Sequence, residues 1–323
     1  MDSSIVSNAA GSAKNLLQAE QLARSASGVV RMGSYMPLLR PGNSGRVYWC
    51  SPDGRFSLNA LGIPSPPYEQ VAELVPKMAD VAHREGKALE VSPAGTTPKD
   101  YGQMAGLLDC GADFLEVNAG CPNIWVEGKQ KPIASYHPES LREILVEVEK
   151  RIGTSRMDRV RVKVSPFFYA PVFFSAAVGV EVDAAPPGME VFEQIAEIVV
   201  KSGVSRVVTM NTVPRSRIRA EDGKWAIDSP EVPEGYGGLA GPVVKPFGLR
   251  EVNMWRAVLP PHIEVVGVGG IRTGQDVLDY LQVGASRVQI GTEFYGSQNP
   301  RIFGEILKEL VELPGAQEFL KTG

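Results

Sequence analysis

Eight short, almost unbroken apolar runs, each followed by a helical pattern, most limit what this chain can fold into. They are SSIVSN (3–8), GVVRMG (28–33), ALEVS (88–92), DFLEVN (113–118), RVRVKVS (159–165), SRVVTMN (205–211), EVVGVGG (264–270) and SRVQIGT (286–292). A strand with one wet face alternates apolar and polar residues; a strand covered on both faces does not. These runs therefore read as parallel strands buried under helices. The segments between them agree. YEQVAELVPKMADVAHREG sets Val71, Leu74, Val75, Met78 and Val81 at helical spacing, with Gly86 to close the helix. In TTPKDYGQMAGLLDCG, Thr97 is placed as an N-cap and Pro98 as the first helical residue. TGQDVLDYLQVG ends at Gly284. Eight strand–helix units predict a (β/α)8 TIM barrel, one domain over residues 1–323. A doubly wound open sheet is the alternative, weakened because no G-x-G-x-x-G follows an early strand.

Three stretches break the repeat, each after a strand: 34–58, rich in Pro and Gly; 166–189, apolar but irregular; and 213–241, polar with many turn residues. The first reads as a long loop or small hairpin. Loops after the strands of a barrel build its active site, so these predict insertions on the C-terminal face.

Composition excludes several classes. A net charge of −4, with both signs dispersed, argues against a nucleic-acid surface. Three cysteines do not make a disulfide framework and fit a reducing, cytoplasmic setting. The N-terminal residues carry no signal-peptide pattern, and no apolar run is long enough for a membrane span. His83, His137 and His262 are far apart, so no metal site is expected.

The strand ends carry unusual chemistry: Asn8, Met32, Ser92, Asn118, Lys163, Asn211, Gly269–Gly270 and Gly291–Thr292. Glycine-rich turns after the last two strands suit a phosphate held by backbone N–H groups. Lys163, amid valines, is either an exposed strand lysine or an inward cation that stabilises charge on a cofactor. Cys121 follows a strand in the polar loop EVNAGCPN, where a thiol can act as a base or a nucleophile; no histidine lies nearby, which argues against a cysteine-protease-like role. Cys50 and Cys110 read as inert core residues.

At these residues a resemblance appears. EVNAGCPN resembles the E-x-N-x-S-C-P-N signature of dihydroorotate dehydrogenases. RVRVKVSP looks like their flavin-lysine strand, and TMNT, GYGGLAGPVVKP, VVGVGGIRTGQD and GASRVQIGT follow in the family's order. SLNALGIPS (57–65) is similar to the family's substrate loop. The resemblance covers most of the chain. It implies an FMN-dependent dehydrogenase that oxidises dihydroorotate, or a closely related dihydropyrimidine, to orotate. Cys121 is then the base and Lys163 lies at the flavin's N1/O2 edge. Asn59, Asn118, Asn123, Asn211 and Thr212 grip the ring under a loop of Leu61, Gly62 and Ile63. Asn8, Ala9, Ala10, Gly11, Gly33, Ser92, Asn118, Lys163, Asn211, Gly237, Gly238, Gly269, Gly270, Gly291 and Thr292 meet the FMN. The cysteine marks the soluble class. A homodimer is implied, and TMNTVPRSRIR and GGLAGP look closer to the NAD-linked enzymes, which have an iron–sulfur and FAD partner subunit.

The chain departs from that family at the second strand. The family has T-K-[ST] there, with a lysine reaching flavin and substrate; here VVRMGSY sets Met32 at that place. Arg31, by strand alternation, is expected on the opposite face. Arg215, Arg217 and Arg219 are candidates to replace the missing charge. The alternative reading is a flavoenzyme of the same fold, a dehydrogenase or ene-reductase acting on another cyclic amide or a specialised metabolite. A phosphate-binding barrel without redox chemistry leaves Cys121 and the asparagines unexplained.

Overall fold

The structure, a computed structural model, describes residues 5–126, 128–169 and 179–320. All eight apolar runs form strands: β1 (Val6–Asn8), β2 (Val30–Tyr35), β3 (Leu89–Pro93), β4 (Phe114–Asn118), β5 (Val160–Lys163), β6 (Arg206–Val208), β7 (Glu264–Val268) and β8 (Arg287–Ile290). Every ladder between them is parallel, in the order β1-β8-β7-β6-β5-β4-β3-β2. Helices α1 (Leu16–Ala23), α2 (Tyr68–Arg84), α3 (Pro98–Ala105), α4 (Pro138–Ile152), α5 (Met189–Lys201), α6 (Lys245–Val258), α7 (Gly274–Gln282) and α8 (Ile302–Glu312) alternate with the strands and surround them. The main apolar core lies between the two layers. Helix starts follow local chemistry. Thr97 and Asp100 form a reciprocal cap on α3, and Thr273 and Asp276 do the same on α7. α2 runs through Pro76 and buries Val71, Val75, Met78, Ala79 and Ala82.

The barrel closes between β1 and β2 without a strand ladder. The Asn8 side chain takes the ladder's place, because an amide carries the same donor and acceptor as a peptide group. Its Nδ2 donates to the Arg31 carbonyl at 2.7 Å, and its Oδ1 accepts from the Arg31 N–H at 3.2 Å. Gly11 N–H then donates to Gly33 O and Gly33 N–H to Ala13 O. Asn8→Ala strands a buried donor and a buried acceptor on Arg31. We expect it to lower stability by roughly 2–4 kcal/mol, read as a fall in the denaturation midpoint. An unchanged midpoint would show that the seam holds without the amide.

The three stretches that broke the repeat meet in one structure. Tyr48–Cys50 and Ser57–Asn59, from the first stretch and its end, pair with each other. Val213–Ile218 and Gly237–Ala240, from the third, pair next. Val180–Val182, from the second, adds an edge. The result is a five-stranded antiparallel sheet, joined at its centre where Gly238 pairs with Asn59. Residues 170–178 of the second stretch lie outside the described residues. The sheet has its own apolar layer, including Leu58, Trp125, Ile218, Ile227 and Leu239, against Val208 and Val266 of the barrel. It roofs the C-terminal end of the strands.

Candidate active site

One large cleft lies between the strand ends and this roof, with about 1250 Å³ of atom-free space, part of it continuous with solvent. Cys121, Lys163, Asn118, Asn123, Asn211 and Thr212 line it, as do Asn59, Leu61, Gly62 and Ile63. So do Ala9, Ala10 and Gly11 on one side and Gly269, Gly270, Gly291 and Thr292 on the other.

The four asparagines form two pairs. Asn123 Nδ2 donates to Asn59 Oδ1 at 2.7 Å, and Asn211 Nδ2 donates to Asn118 Oδ1 at 3.1 Å. Each pair is fixed from behind. Asn59 Nδ2 donates to Gly238 O of the roof, and Asn118 Nδ2 donates to Ser34 Oγ, itself 2.8 Å from Ser92 Oγ. Asn211 Oδ1 accepts from the Thr212 N–H. Each amide offers two donors and an acceptor, so both pairs keep capacity for a ring with alternating N–H and C=O groups.

Cys121 sits in the turn after β4. Gly120 lets that turn lie on the backbone of Val164 and Ser165: a Cβ there would come within 2.3 Å of Val164 C. The thiol packs against Met36, Ile63, Ala94 and Ile124. Burial pushes it up, while the Asn123 N–H and then Lys131, Lys14 and Arg40 pull it down. The charges acting on it are all positive, which suits a group that must become an anion.

Beneath the cleft, charges alternate down the barrel. Lys163 Nζ is 3.6 Å from Glu116 Oε1, Arg31 Nε 2.9 Å from Glu116 Oε2 and 3.0 Å from Glu90 Oε1, and Arg161 Nε 3.9 Å from Glu90 Oε2. Gln289 braces the top, donating to Glu116 at 2.5 Å and accepting from Lys163 at 3.4 Å. All five charged side chains are buried. Burial pushes the Glu116 carboxyl up and the Lys163 ammonium down. Lower in the chain, burial of Glu90 is outweighed by Arg31 and Arg161, which hold it at about 2. Three cations against two anions leave one positive charge in excess, and the member that lines the cleft is Lys163.

Several expectations need correction. Met32 does not face the cleft. It is fully buried in the layer between barrel and helices, whereas Arg31 points into the barrel. The alternation is reversed from the expected one because the charged residue takes the lumen, where the glutamates are. A lysine at position 32 would put an amine into the apolar core. The neighbouring Gly33 leaves no room for a long side chain either. Gly33 has φ +110°, and a Cβ there would lie 2.8 Å from Ser92 O. Arg215 pairs with Asp183, Arg217 with Glu181 and Glu234, and Arg219 donates to Gly223 O; none lines the cleft. Cys50 is exposed rather than core, and Cys110 is only partly buried.

Asn8, Gly33, Ser92, Gly237 and Gly238 also lie off the cleft lining. Asn8 is engaged in the barrel seam, and Ser92 supports Ser34. The two roof glycines allow close approach: a Cβ at Gly238 would sit 1.9 Å from Thr212 Oγ1, and one at Gly237 3.0 Å from Asn59 O. The structure adds residues that the sequence did not single out. Lys14, Ser34, Tyr48, Arg272 and Gln289 line the cleft. For Gln289 the signal was there: a polar side chain in the middle of SRVQIGT.

A family model described as dihydroorotate dehydrogenase matches residues 3–313. The chain belongs to the dihydroorotate dehydrogenase family. It is 28% identical over 262 residues to "Dihydroorotate dehydrogenase A (fumarate)" of Lactococcus lactis subsp. cremoris, covering 80% of this chain and 73% of that protein. It is 26% identical over 323 residues to "Probable dihydroorotate dehydrogenase A (fumarate)" of Enterococcus faecalis, covering 98% and 91%. Among solved structures, a ligand-free dihydroorotate dehydrogenase of Eimeria tenella superposes with a TM-score of 0.72 at 19% identity, over 98% of this chain and 85% of that one. The same enzyme in complex with ferulenol gives 0.71 at 20%, over 95% and 80%. As a member of the family, the chain is an oxidoreductase acting on a CH–CH bond, and the enzymes of the family are FMN flavoproteins. Fumarate stands in the names of both bacterial relatives, whereas the loop motifs resembled the NAD-linked class. No described helix is long and apolar enough to cross a membrane, and no described cluster of His, Cys, Asp or Glu could hold a metal.

The residues present fit an FMN. Gly269 and Gly270 have φ values of +115° and +70°, and a Cβ on either would meet its neighbours at 3.0 Å or less. Bare backbone is thus what they present to the cleft. Lys163 supplies a buried cation. Ala9, Ala10 and Gly11 add a flat, small-residue wall, with open space where a Gly11 Cβ would stand.

Proposed function

We propose that this enzyme oxidises dihydroorotate, or a closely related dihydropyrimidine, to its unsaturated ring, with FMN as the electron acceptor. The observation that carries this reading is the meeting of Cys121 with two asparagine pairs at one cleft. The asparagine pairs hold the ring by its amide edges. Cys121, as thiolate, removes the proton α to the ring carbonyl. FMN, when bound, supplies the hydride acceptor. Lys163 and the glycines at 269–270 and 291 would hold it, with Lys163 balancing negative charge on its reduced ring. The loop Leu61–Pro64 covers the ring and excludes water.

A second reading is the same chemistry, or ene-reduction, on another cyclic amide. It is favoured by the absence of a lysine at the end of β2, where Gly33 leaves no room for one. One experiment separates the two. The purified protein is loaded with FMN and mixed anaerobically with dihydroorotate, then with dihydrouracil. Bleaching by dihydroorotate is the expected result. Bleaching only by the neutral ring would replace it with the second reading, and failure to retain FMN would sink both.

A further inference from the structure

Three cationic side chains line the cleft: Lys14, Lys163 and Arg272. Lys163 faces Glu116, and Arg272 is paired with Glu293 at 3.0 Å. Lys14 is in contact only with neutral groups and has no carboxylate partner among the described residues. Its Nζ donates to Ser34 O and Pro64 O, both at 2.6 Å. An ammonium has three protons to donate. Two hold carbonyls, and the third is left for the cleft.

Its position is built, not incidental. Lys14 follows Ala13, which bridges to Gly33 across the barrel seam. Tyr35 holds it twice, with the hydroxyl donating to Lys14 O at 2.8 Å and the ring 5.7 Å from Nζ. Ser34 adjoins the Asn118–Asn211 pair, and Pro64 ends the loop over the ring. The ammonium therefore stands where ring, loop and strand end meet. Burial holds it down to about 8, and Cys121 counters part of that. A partly buried cation without a counter-ion gains most from an anionic ligand.

The geometry points to Lys14 as the specificity-determining cation of this site: it binds the carboxylate of an anionic ring substrate while its other two protons tie the covering loop to β2. The inference rests on the reading of the cleft as a ring-amide site. It assigns to the β1–α1 turn a charge that Gly33 cannot carry.

The test uses FMN-loaded enzyme and calorimetric titration with orotate, an anionic ring, and uracil, its neutral counterpart. Lys14→Gln keeps donors for the two carbonyls and removes the charge; Lys14→Met removes both and serves if the first variant does not fold. Orotate binding is expected to weaken by about 20-fold or more in Lys14→Gln, the scale of one hydrogen bond to a charged group, with uracil binding changed less than about threefold. Equal weakening for both rings would reduce Lys14 to a structural tie and overturn the assignment. Unchanged orotate binding, or a wild type that does not prefer orotate over uracil, would overturn it too. A wild type that binds FMN but neither ring would overturn the assignment and the proposed function together.

Discussion

Replacing Cys121 with alanine is expected to slow reduction of the bound flavin by roughly 10²–10⁴-fold, the usual range for loss of a positioned base. Flavin binding should persist, because Cys121 packs against Ile63, Ala94 and Met36, on the loop side of the cleft. Anaerobic stopped-flow absorbance measures this directly. The pH profile sharpens it. Burial raises the thiol, and only its deprotonated form accepts the proton, so wild-type reduction should quicken as pH rises from neutral into the thiol range. Serine at this position is far less acidic, so Cys121→Ser should be slower and still accelerating at the highest pH reached. A Cys121→Ala variant that reduces its flavin at the wild-type rate would remove the thiol from the mechanism.

Arg31→Leu is expected to lower stability by about 3–5 kcal/mol, the scale for removing one partner of a buried ion pair. Arg31 is the central member of the charge chain and touches both glutamates. Without it, the nearest cation left to Glu90 is Arg161 at 3.9 Å, and Glu116 keeps Lys163 at 3.6 Å and the neutral Gln289 amide. Chemical denaturation at several pH values separates charge from packing. In the wild type, Glu90 titrates near 2 when folded against about 4.3 when unfolded. Its contribution is therefore complete above about pH 4.3 and fades as pH falls toward 2. The deficit of Arg31→Leu should accordingly shrink in acid, where protonation neutralises the stranded carboxyls. A deficit that stays constant with pH would mean that Arg31 acts through packing alone.

The barrel was legible because strands covered on both faces leave continuous apolar runs, and because Thr97 and Thr273 cap helices by local rules. Much of the cleft was legible for the same reason: in a barrel, whatever stands at the C-terminal end of a strand arrives at one place. The register inside β2 was not legible. Both faces of that strand are buried, so alternation alone does not say whether Arg31 or Met32 faces the lumen. The deciding signal lay in other strands, as Glu90 in ALEVS, Glu116 in DFLEVN and the basic residues in RVRVKVS. Charges at matching heights must share an interior. Lys14 was hidden for a different reason: nothing local marks a lysine in a turn until Ser34, Tyr35 and Pro64 are brought to it from elsewhere in the chain. The pairing of the three irregular stretches was equally hidden, since non-local antiparallel register is set by packing and not by any short motif.

That roof bears on how such a chain diversifies. Among the described residues, Val180–Val182 and Tyr48–Cys50 are its edges, each paired on one side only, whereas Gly237–Ala240 is paired on both. Drift at the edges changes the rim of the cleft and leaves the centre intact. Drift in the central strand would unpair the first insertion from the third and displace Asn59 from its partner. The central strand therefore ties the first and third insertions to each other, and the rim can be reshaped only from the edges inward.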